Sequence, residues 1–127
     1  MDDERWQRIL ARMPSVEPTD GGPLAVAFMG SDVFAARQGT AWLWWPGNRE
    51  RATGPVSFVG IYPEDWGLLL VMNDTAIAKV GADGTAIMAH LARLLDIKPF
   101  VLRQRDELDA AGVLEFIETL ELATPKH

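Results

Sequence analysis

Residues 23–73 offer five short β-like segments in succession, each closed by turn-forming residues. This commits the middle of the chain to a sheet. The first segment, residues 24–29, is apolar at every position, as a strand covered on both faces would be. Residues 33–37 read as a short second strand, closed by Gln38 and Gly39. Residues 40–45 are a third, rich in aromatic β-formers. Residues 56–62 are a fourth and residues 67–72 a fifth. Strands that follow one another through short breaks favour an antiparallel meander.

Helical patterns flank this block. In residues 2–13, Trp6, Ile9, Leu10 and Met13 recur at the spacing of one helical face, with Glu4 and Arg8 paired on another. Pro14 stops that helix, and the Pro- and Gly-rich residues 14–22 read as a linker. Residues 75–80 fit a short strand or a helical turn, followed by a helix over 84–95 with Asp83 as N-cap. Residues 98–102 suggest a last short strand, with Pro99 at its start or on an edge. A final helix is expected over 106–122, capped by Asp106. The expected fold is α+β: one domain over 1–127, with a mainly antiparallel sheet of about five strands. An N-terminal helix (2–13) and two C-terminal helices pack it on one face, the sheet and C-terminal helices filling 23–122.

The bulk numbers narrow the chemistry. The chain has 127 residues and no cysteine, which excludes disulfides, thiolate nucleophiles and thiolate metal sites and fits a reducing cytoplasm. The N-terminus is acidic and lacks the apolar core of a secretory signal. The apolar run 67–72 is too short to cross about 30 Å of hydrocarbon, so no membrane association is expected. Eighteen acids against twelve bases give a net charge of −6, which repels nucleic acid and suits a basic partner.

No catalytic motif is complete. Ser31 lies in a Gly-Ser-Asp turn rather than a nucleophile elbow, and no phosphate-binding glycine loop occurs. His90 is the single internal histidine and sits at the edge of an apolar helical stripe. Asp32 and Asp74 each follow a strand. If the strand ends converge, Asp32, Asp74 and His90 would share a cleft, the basis for a carboxylate- and His-dependent enzyme. No cofactor and no metal site is expected.

Two features point to binding instead. In residues 42–45, Trp42 and Trp44 share one face and Leu43 and Trp45 the other, so a sheet covered on one side would expose one pair. Exposed Trp42 and Trp44 beside Arg49 and Arg51 would have the composition of an interface hot spot. On the last helix, Glu107, Glu115, Glu118 and Glu121 share a face around Leu114, an apolar anchor ringed by charge. The sequence is therefore read as a non-catalytic protein that binds another, basic protein. An inhibitor or immunity-type protein that neutralises a toxin would fit. The alternatives are the small enzyme just described and a self-associating subunit that uses its tryptophan strand.

Overall fold

The apolar middle of the chain forms one five-stranded sheet in a computed structural model that describes residues 2–13, 24–45 and 54–122. The fold is α+β. In chain order the elements are α1 (Asp2–Ala11), β1 (Ala25–Gly30), α2 (Ser31–Ala36), β2 (Gly39–Trp44), β3 (Gly54–Phe58), β4 (Trp66–Met72) and α3 (Asp74–Asp83). A 3-10 turn (Thr85–Ile87) follows, then α4 (Met88–Arg93), β5 (Ile97–Val101), α5 (Arg105–Ala110) and α6 (Val113–Thr119). The sheet order is β3-β2-β1-β4-β5. The expected linker, residues 14–22, lies outside the described residues.

Three of the four strand pairings are antiparallel, but β1 and β4 run parallel, so the sheet is not a simple meander. Both central strands are buried along their whole length, as apolar strands covered on two faces must be. The edge strands carry the prolines: Pro55 lies in β3 and Pro99 in β5, where a missing N–H breaks no ladder.

Two apolar layers enclose the sheet. On one face, Val26, Phe28, Trp42, Trp44, Leu68, Leu70 and Met72 meet side chains of α1, α3, α4, α5 and α6. Helix α1 docks as its spacing predicts, with Trp6, Ile9, Leu10 and Met13 all buried and the Trp6 ring 6.4 Å from Phe28. On the other face, Ala25, Ala27, Met29, Ala41, Leu43, Trp45, Leu69 and Val71 form a second cluster with Phe58 and Trp66. The expectation of helices on one face only is therefore corrected: Val33 and Phe34 of α2 pack onto the second face.

The rest of that second cover is a strap. Strands β1, β3 and β4 run in the same direction, so residues 59–65 must travel back along the sheet while crossing β2 and β1. That path is about 20 Å along the strands and about 14 Å across them, a diagonal of about 24 Å. The eight steps from Phe58 to Trp66 reach at most about 29 Å, and the strap closes on a turn in which the Trp66 N–H donates to the Pro63 carbonyl at 3.1 Å. Before that turn its side chains alternate. Val59 and Ile61 are 68% and 72% exposed, while Tyr62 points inward and packs on the second cluster.

Several local expectations change. Residues 33–37 lie mostly in α2, not a strand, and Arg37 ends that helix in the left-handed region at φ 56°. Residues 75–80 belong to ten-residue α3, which Asn73 caps by accepting a bond from Ala76 N–H at 2.9 Å. Asp83 is the last residue of α3 rather than the cap of the next helix, and α4 is shorter than expected. The helix expected over 106–122 is two helices. Gly112 sits between them at φ 84°, a conformation that favours glycine and turns the chain. The first of these, α5, is capped by Gln104 rather than Asp106.

Candidate functional site

Six acids follow Arg105, the first residue of α5, and equal the net charge of the protein in number. Asp106, Glu107, Asp109, Glu115, Glu118 and Glu121 fall within sixteen residues that hold no Lys or Arg. The other twelve acids are matched by the twelve bases. All six carboxylates are exposed. The break at Gly112 distributes them over two helices, so Glu107 does not share a helical face with Glu115 and Glu118. Glu107 instead accepts a bond from the Gln104 N–H at 3.3 Å, closing a capping box at the start of α5. Glu115 and Glu118 stand three residues apart on α6, and Glu121 follows that helix. Leu114 is half-buried and packs against the helix-side core.

The tryptophan strand is buried. Trp42 and Trp44 are 2% and 9% exposed, because the helices cover their face of the sheet. The Trp44 ring lies 5.2 Å from Phe116 of α6. Leu43 and Trp45 are equally covered on the opposite face. Trp42 and Trp44 therefore do not form the exposed pair that a sheet covered on one side would have shown. Arg49 and Arg51 lie outside the described residues.

The strand ends do converge. Parallel β1 and β4 finish side by side, and the chain leaves them in opposite directions. After Gly30 it enters α2, which packs on the second face, and after Met72 it enters α3, which packs on the first. Diverging connections leave a crevice beyond the carboxyl ends of the strands, the place where open sheets containing parallel strands take ligands. A cleft of about 240 Å³ opens there, lined by Arg5, Trp6, Gly30, Asp32, Val33, Thr40, Trp42, Asp74 and Ile77. A Cβ built on Gly30 would stand 2.6 Å from Asp32 Oδ1, so the glycine leaves room for that carboxylate over the strand end.

Asp32 and Asp74 thus line one cleft, the condition the sequence left open, but His90 does not join them. Its helix buries Met88, Leu91 and Ala92 and turns His90 to the exposed side. Ser31 is exposed at the start of α2 and does not line the cleft. Arg5 and Thr40 line it without any local sequence signal, since α1 and β2 bring them there by packing. Among the described residues, no three His, Asp or Glu side chains are grouped as metal ligands, and no helix is long and apolar enough to cross a membrane. His90→Ala should leave stability within about 0.5 kcal/mol of the wild type, as expected for an exposed helix position. Partner binding should likewise be unchanged. A large functional loss at normal stability would restore a chemical role for the imidazole.

Comparison with protein-family models, with curated proteins and with solved structures gives no match.

Proposed function

We propose that this protein binds another protein of basic surface through its acidic segment 106–121, as a cytoplasmic inhibitor or immunity-type protein would bind the toxin it neutralises. One observation carries this reading: that segment holds six acids and no base, equal in number to the net charge of −6, and its six carboxylates are exposed. Helices α5 and α6, with six and seven residues, are each about 10 Å long. Charge is screened over about 8 Å at physiological ionic strength, so neighbouring carboxylates such as Glu115 and Glu118, three residues apart on α6, act on a partner together. Such a field steers an oppositely charged protein and raises its association rate more than its final affinity.

The test begins with capture from the native host by the wild-type chain and by the double variant Glu115→Lys, Glu118→Lys. A partner retained by the first bait and lost by the second is then measured by surface plasmon resonance at two salt concentrations. The double variant changes the charge of the segment by four. Its association rate should fall about tenfold, with little change in dissociation, and the wild-type rate should fall as salt rises. Salt-independent association at wild-type rates in the variant would place the contact elsewhere.

A further inference from the structure

Beyond a protein partner, we propose that the cleft at the ends of β1 and β4 binds a free α-amino acid, with preference for one carrying a cationic side chain. The argument starts from size. At about 240 Å³ the cleft falls below the range of about 300–1,000 Å³ that suits drug-sized ligands, and it matches a single small metabolite. Its position adds a second, independent reason. The crevice lies where α2 and α3 leave parallel strands toward opposite faces.

Charge then selects the ligand. Asp32 and Asp74 line the cleft together with Arg5, so groups of both signs face one small volume. A guanidinium holds a carboxylate with two parallel N–H bonds, and carboxylates hold an ammonium. A ligand carrying both groups satisfies both kinds of wall, and the α-amino acid is the smallest common one. Two carboxylates against one guanidinium leave one negative charge over. An amino acid with a second ammonium, and hence a net charge of +1, neutralises that excess. The rest of the lining is Gly30, Thr40 and the half-buried Val33, with the edges of buried Trp6, Trp42 and Ile77 behind them, so the wall is mainly polar and the Thr40 hydroxyl offers one further polar contact. An acidic amino acid would add a carboxylate where two already stand.

Isothermal titration calorimetry on the full chain tests this with four probes: L-lysine, L-norleucine, cadaverine and L-glutamate. L-Lysine should bind with one-to-one stoichiometry, in the range of about micromolar to millimolar. L-Norleucine lacks the side-chain ammonium and cadaverine lacks the carboxylate. Each should bind at least about tenfold more weakly, the effect of one lost charge-assisted bond. L-Glutamate should not bind. Arg5→Gln should weaken L-lysine and leave cadaverine unweakened or bound more tightly, since it removes a like charge, whereas Asp74→Asn should weaken both. These residues are exposed, so neither change should unfold the chain. Gly30→Ala is an independent check, because its methyl group must displace the Asp32 carboxylate. It should weaken L-lysine while the melting curve stays cooperative. Absence of saturable L-lysine binding at about 10 mM would overturn the proposal. So would cadaverine binding as tightly as L-lysine, or L-lysine binding that survives Arg5→Gln and Asp74→Asn. None of these outcomes bears on the acidic segment, which lies outside the cleft.

Discussion

Trp66→Ala is expected to cost about 5 kcal/mol, the upper end of the range for deleting a buried aromatic ring. The residue is 1% exposed and is among the largest fully buried side chains. It opens β4, where the strap 59–65 rejoins the sheet, and its ring stacks 6.0 Å from Phe58 and lies tilted 6.2 Å from Tyr62. Phe58 and Tyr62 are themselves 5.7 Å apart, so the three rings form one layer over the second face. No α-helix longer than six-residue α2 covers that face among the described residues, which leaves the rings and the strap as much of its cover. Removing Trp66 therefore creates a cavity and also frees Tyr62 to leave the sheet. Stabilities of domains this size are commonly about 5–15 kcal/mol, so the variant should be largely unfolded or molten. Urea denaturation followed by fluorescence checks this, with Ile61→Ala as control. Ile61 sits on the same strap but is 72% exposed, and its loss should change stability by less than about 0.5 kcal/mol. If the two variants unfold alike, the strap does not depend on the ring layer.

The strap also explains what the sequence could and could not reveal. Residues 56–62 read as one strand because Val56, Phe58 and Tyr62 keep a two-residue alternation across the end of β3. Extended backbone alternates its side chains whether or not it is paired, so periodicity alone cannot mark where Phe58 ends the ladder and the crossover begins. The same limit hid the parallel pairing of β1 and β4, which depends on where that crossover lands. Residues 33–37 misled for a different reason. Val33 and Phe34 are good strand formers, but tertiary packing onto the second face holds them in a single helical turn and a half. The helices at the end kept their apolar spacing through Ala111 and Val113, and only the φ of Gly112 divides them.

Long periodic elements were legible. The core face of α1 and the burial of β1 follow directly from spacing. The cleft was legible only as a condition: Asp32 and Asp74 each follow a strand, but they share one end of the sheet because β1 and β4 run parallel, which the sequence did not show. Arg5 belongs to a helix far away in sequence, and Thr40 begins a strand whose neighbours are set by pairing, so neither carried a local signal. The acidic segment was visible as a pattern, but its geometry was not. Spacing arguments treat Glu107 and Glu115 as points on one cylinder, and the turn at Gly112 removes that cylinder.

Exchanging Asn73 and Asp96 should be far less damaging than changing Asn73 alone. Asn73 joins three elements. Its Oδ1 accepts the Ala76 N–H and caps α3, and its Nδ2 donates to Asp96 Oδ1 at 2.7 Å. Its backbone N–H also donates to the Asp96 carbonyl at 3.1 Å, tying the end of β4 to the turn before β5. The cap needs an acceptor and Asp96 needs a donor, which fixes the orientation of the amide and makes Asn the fitting choice. Asn73→Asp keeps the cap, since a carboxylate serves there as well as an amide. It replaces the donor facing Asp96 with a second carboxylate in a half-buried position. Losing a hydrogen bond to a charged group costs about 1.5–3 kcal/mol, and like-charge repulsion adds to it, giving an expected loss of about 3 kcal/mol. Adding Asp96→Asn restores a donor opposite the new acceptor. The bond then re-forms with its polarity reversed, and the cap is kept. A double-mutant cycle measured by urea midpoints should return about 2 kcal/mol of coupling, with the exchanged protein recovering most of the loss. Strict additivity of the two single changes would mean that the side-chain bond carries little, and that the backbone bond between Asn73 and Asp96 alone holds β4 to the turn.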